Sequence, residues 1–166
     1  MTAALAQTPS TKKILVLGLG NTLLSDEGVG VYVIDELARQ DPDALHADYM
    51  DGGTLSFTLA GPIEEAAALI VVDTAQLDQE PGSIRVFEGE AMDEFVGSGK
   101  KSSVHEVSLH DLLAIASLEG NLPERRALIG IQPVELDWGS APSAPVAAAI
   151  PAACEAALEL MRKWQV

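Results

Sequence analysis

Apolar residues along this chain fall into two kinds of run. Residues 14–17, 68–72 and 128–131 are short, unbroken and partly β-branched, the pattern of strands buried on both faces. Shorter strand candidates lie at 47–50 and 84–87. Elsewhere the apolar positions follow helical spacing. Val29, Val33, Ile34 and Leu37 predict a helix over 28–39, with Ser25 or Asp26 as its cap. Further helices are predicted around 55–60, over 107–118 and from about 145 to 163. Pro151 falls inside the last of these, where a kink or restart is expected, and Arg162 and Lys163 suit its negative end. Strands alternating with helices imply a layered α/β domain with a mostly parallel sheet. The link from 72 to 84, with its Pro81-Gly82 turn, is too short for a crossover helix. One strand is therefore expected to run antiparallel.

Composition narrows the setting. The 166 residues suit one domain, read here as 13–166 behind a loose N-terminal arm at 1–12. That arm has no apolar core followed by a cleavage site, and no unbroken 18-residue apolar run occurs, so a cytoplasmic protein away from membranes is expected. The single cysteine, Cys154, excludes an internal disulfide and a cysteine-built zinc site, and it sits among alanines like a small buried residue. A formal charge of −15 argues against nucleic acid as a partner, because phosphate binding needs clustered Lys and Arg. The charge serves solubility, or it suits a basic or metal-bearing partner.

Two sets of residues carry possible chemistry. Gly18-Leu19-Gly20 follows a strand, as in dinucleotide sites, but Leu23 stands where the third glycine belongs and five residues intervene before the helix. The second set shares one address. Glu27 follows the first strand, Asp51-Gly52-Gly53-Thr54 the second and Asp73 ends the third, while His105 follows a glycine-, serine- and lysine-rich loop at 97–103. In a parallel sheet these carboxyl ends converge on one crevice. Each residue also has a structural reading. Glu27 can offset the positive end of its helix, Asp73 can cap a turn, Asp51 can hold the glycine turn, and His105 can be a surface histidine. Together, two carboxylates and an imidazole are a sensible hard-to-borderline metal set. His46 and His110 read as structural or solvated. GxSxG and HExxH are both absent.

Taken in order, Gly18-x-Gly20-Asn21-x-Leu23-Leu24-x-Asp26-Glu27-x-x-Gly30, Asp51-Gly52-Gly53-Thr54, Asp73, Val104-His105-Glu106 and Gly130-Ile131-Gln132-Pro133 resemble the [NiFe]-hydrogenase maturation proteases. The resemblance runs from about Ile14 to the last helix. It implies a single three-layer domain, a twisted, mostly parallel five-stranded sheet flanked by helices on both faces. It further implies an endopeptidase that removes the C-terminal extension of the hydrogenase large-subunit precursor after nickel insertion. Glu27, Asp73 and His105 match the nickel-sensing and catalytic positions, and Asp51, Gly52, Gly53 and Thr54 are assigned to substrate binding. No permanent cofactor is expected, since the nickel arrives with the precursor, and one copy is expected to act alone. A nickel-binding chaperone that does not cut, and a nucleotide-binding module, are the alternatives.

Overall fold

Strand β1 (Ile14–Leu19) is buried along its whole length, and so is β3 (Ala68–Thr74). Their unbroken apolar sequences leave no face for solvent, so both must lie inside a sheet covered on two sides. The computed structural model describes residues 12–44, 46–53, 55–98, 107–134 and 138–165. The predicted arm at 1–12, apart from Lys12, and residues 99–103 of the predicted loop lie outside these.

Between β1 and β3 come a 3-10 turn (Ser25–Gly28), α1 (Val29–Gln40), β2 (Ala47–Gly53), a 3-10 turn (Phe57–Leu59) and α2 (Ala60–Glu65). After β3 follow β4 (Ile84–Glu88), α3 (Glu90–Gly97), α4 (Leu109–Leu118), β5 (Arg126–Ile131) and α5 (Ala144–Trp164). The five strands are ordered β2-β1-β3-β5-β4. All neighbours are parallel except β4, which runs antiparallel to β5, as the short link predicted.

Side chains alternate across this sheet and so build two cores. Val16, Ile70, Val72 and Ile129 point to one face, where α1 and α5 cover them. Leu15, Leu17, Leu69, Val71 and Leu128 point to the other, beneath residues of α2, α3 and α4 such as Ile63, Met92 and Leu112. The result is the expected three layers. Helix α5 is apolar and long enough to cross a membrane, yet its apolar positions Val146, Ala153, Ala157 and Leu160 are buried against the sheet and α1.

Four predictions need correction. The helix cap expected at Ser25 or Asp26 is instead a 3-10 turn, with Gly28 at the start of α1 and no side-chain cap. The helix expected near 55–60 is a 3-10 turn that runs directly into α2, which carries the helix on to Glu65. Helix α5 runs unbroken through Pro151, so there is no restart. Helix α3 was not foreseen. The predicted start of α4 at Val107 shifts to Leu109, because Ser108 and Asp111 form a capping box that fixes the first turn.

Candidate active site at the ends of β1 and β3

The strand order places a topological switch at β1. The chain crosses from β1 to β2 on one side, then passes back over to β3 on the other. In open α/β sheets the crevice at the carboxyl ends of such strands is where ligands bind. Glu27 follows β1, and Asp73 is the penultimate residue of β3.

Glycines let the segment after β1 fold down onto these ends. Gly20 has φ +127°, and a Cβ there would lie 1.7 Å from the carbonyl oxygen of Glu27. Its N–H donates to Gly53 O at 2.9 Å, which ties the first turn to the end of β2. A Cβ on Gly30 would lie 2.3 Å from Val72 O and 2.4 Å from Leu19 O. Helix α1 therefore begins in direct contact with the ends of both β1 and β3, one turn after Glu27. Only backbone without side chains fits there.

Glu27 is 5 % exposed and Asp73 fully buried. Asp73 Oδ1 accepts the N–H of Thr74 at 2.8 Å, and Asp73 stands opposite Gly130 of β5. Its position in the alternation is that of Leu69 and Val71, so it faces the layer of α2, α3 and α4. Val107, two residues after His105 in sequence, is buried in that same layer. His105 and Thr54 themselves lie outside the described residues. Among the described residues, no group of three His, Cys, Asp or Glu side chains is placed to hold an ion.

The other predicted positions divide by role. Asp51 is exposed, and its Oδ1 accepts the N–H of Gly53 at 2.8 Å, so it holds the glycine turn. With Gly53, Gly20, Asn21, Thr22 and Val31 it lines a depression of about 300 Å³ beside the strand ends. Gly52 abuts Leu19 and Leu17, which makes it a packing position. His46 is exposed, and the ring of His110 lies against Gly97.

The hydrogen bonds that tie this edge together are not legible in the sequence. Asp26, expected as a cap and as a motif position beside Glu27, is fully buried and binds across the chain. Its carboxylate accepts the N–H of Val134 at 2.7 Å, the N–H of Ser143 at 2.5 Å and the hydroxyl of Ser143 at 3.0 Å. Next to it, Ser25 N–H donates to Gly139 O and Gly139 N–H to Leu23 O, both at 2.9 Å. Nothing periodic in the sequence marks such pairings. Gln132, from the motif segment Gly130-Ile131-Gln132-Pro133, is a further fixture. Its side chain accepts from Leu77 N–H at 2.7 Å and donates to Gln76 Oε1 at 2.8 Å, bracing the segment after β3.

Comparison with known proteins gives a consistent answer. The HycI family, described as hydrogenase maturation protease, matches residues 31–160. The hydrogenase expression/formation protein HupD of Rhizobium leguminosarum bv. viciae is 39 % identical over 159 residues, covering 95 % of this chain and 78 % of that protein. The hydrogenase 2 maturation protease of Escherichia coli K12 is 30 % identical over 152 residues, 91 % of this chain and 92 % of that one. Among solved structures, the hydrogenase maturating endopeptidase HybD from E. coli superposes with a TM-score of 0.82 at 30 % identity, covering 92 % of this chain and 94 % of that one.

Proposed function

The chain belongs to the hydrogenase maturation protease family, and from that premise we propose that it cuts its precursor only when Glu27, Asp73 and His105 meet a nickel ion already seated there. Endopeptidase activity and a hydrogenase precursor as substrate follow from the family. The nickel dependence and the three residues are the finer reading. In it the bond cut is the one that releases the C-terminal extension of the large subunit, and Asp51, Gly52, Gly53 and Thr54 line the path of that extension.

One observation carries the reading. Two carboxylates, Glu27 and Asp73, are buried at the switch between β1 and β3, where an open α/β sheet gathers its ligand sites. Oxygen donors of this kind, with an imidazole, suit a borderline divalent ion. Such an ion polarises a carbonyl or lowers the pKa of a bound water. In the competing scheme Glu27 or Asp73 takes the proton from water and the ion only anchors the substrate. In both, a precursor without nickel is left uncut, so selectivity needs no deep side-chain pocket.

In this reading one copy acts alone, and the nickel belongs to the precursor rather than being held as a cofactor. A lone, buried cysteine accords with the reducing cytoplasm. The decisive experiment incubates the protein with nickel-loaded and nickel-free precursor and measures precursor mass. Loss of the extension from the loaded form alone is expected. Equal cutting of both forms overturns nickel gating, and unchanged mass in both leaves only a chaperone.

A further inference from the structure

The edge that holds Glu27 also presents three apolar side chains to solvent. Leu23 is 59 % exposed, Val134 54 % and Trp138 80 %. They are not stray surface residues. The bridge between Leu24 and Gly139 is parallel and fixed by the paired hydrogen bonds of Gly139 with Leu23 and Ser25. Leu23 and Trp138 are therefore register neighbours on the same side of that ribbon. Val134 is pinned to the same unit through its N–H bond to Asp26, the residue before Glu27. Backbone and carboxylate hydrogen bonds thus hold a tryptophan, a leucine and a valine out in water, beside the candidate active site.

Holding such a strip rigid and solvated is unfavourable for the free protein, and preorganised apolar anchors of this kind mark recognition surfaces. The net charge of the chain says what arrives. With 25 acidic against 10 basic residues the chain repels acidic polypeptide and attracts basic polypeptide. We propose that Leu23, Trp138 and Val134 seat an apolar side chain of the substrate polypeptide, flanked there by Lys or Arg, next to the bond that is cut. The proposal deepens the reading of the site given above and rests on it. The tryptophan of such a strip is expected to dominate the binding energy.

The chain has two tryptophans, so Trp164→Phe leaves Trp138 as the sole reporter. Its emission is expected to shift to the blue when the precursor is added, because the indole leaves water. In cleavage assays Trp138→Ala is expected to raise KM about tenfold, equal to about 1.4 kcal/mol, with kcat within about twofold of the parent. Leu118→Ala serves as a control. Leu118 is 89 % exposed at the end of α4, on the approach to the opposite edge of the sheet. It is expected to change neither constant. Cleavage by the parent with unchanged KM in Trp138→Ala, and no shift in emission, overturns the proposal while the site reading stands. An emission shift with a precursor that the parent does not cut supports the seat and overturns the site reading. A shift that depends on protein concentration alone, without precursor, assigns the strip to a second copy and overturns the proposal.

Discussion

The carboxylate of Asp26 accepts both the backbone N–H and the hydroxyl of Ser143, a residue 117 positions later in the chain. This pair joins the turn after β1 to the residue that precedes α5. Glu27 is attached to one end of that link. The switch crevice is thus closed at one side by hydrogen bonds rather than by apolar packing, which fixes direction as well as distance.

Asp26→Asn is expected to lower stability by about 3 kcal/mol, because a buried charged acceptor with three donors becomes a weaker acceptor that must also place an NH2 group. Ser143→Ala removes only the hydroxyl and is expected to cost about 1 kcal/mol. Urea unfolding of both variants tests the order. Equal stability of Asp26→Asn and parent would show that the clamp adds nothing.

Gly30 and Gly61 make a matched pair for a second test. A Cβ at Gly30 meets two backbone oxygens, Val72 O and Leu19 O, that cannot swing aside. Gly30→Ala must therefore lift α1 off the strand ends, with a loss of more than about 3 kcal/mol and of cleavage together. Gly61 in α2 has open space around it. Gly61→Ala is expected to gain up to about 1 kcal/mol from helix propensity alone. Thermal unfolding decides, and a tolerated Gly30→Ala would refute the close approach.

These two glycines also mark what the sequence could and could not disclose. Buried strands declare themselves by unbroken apolar runs, so β1, β3 and β5 were placed within two residues of their observed ends. The short 72–84 link foretold the antiparallel β4. Helix α3 escaped because its eight residues bury only Met92 and Val96, a single repeat of the helical period. The residues at strand ends were legible because parallel sheets gather their sites there. The bonds of Asp26 were not, since its partners Val134 and Ser143 are local to it only in space.

Asp73→Asn and Glu27→Gln test the chemistry of the crevice. Each keeps the shape of a buried side chain and removes its charge. Both variants are expected to fold, by circular dichroism, and to lose at least about a hundredfold in precursor cleavage, the scale of a general base or an ion-anchoring group. Parent-like cleavage by either one removes that residue from the site. His105→Ala belongs to the same series and is expected to behave in the same way.

Cys154 offers a test of the seam between α5 and α1. The thiol is buried, and its sulfur lies 3.7 Å from Val33 O on α1. Burial, with a smaller effect from the charge of Glu36, pushes it up to about 11 from an ordinary value near 9. The sign follows directly. Below about pH 9 the thiol is neutral in both the folded and unfolded chains, and the fold keeps its full stability. As pH rises from about 9 to about 11 the unfolded chain ionises first, so stability is lost at up to about 1.4 kcal/mol per pH unit. Cys154→Ala lacks that slope. Unfolding curves of parent and variant are therefore expected to converge as pH climbs through this window, after correction for other titrating groups by the difference between the two proteins. Native protein at pH 8 is also expected to resist iodoacetamide, since the reactive thiolate is suppressed and enclosed. Rapid alkylation of the native chain, or parallel pH profiles, would mean that water reaches the α1–α5 seam.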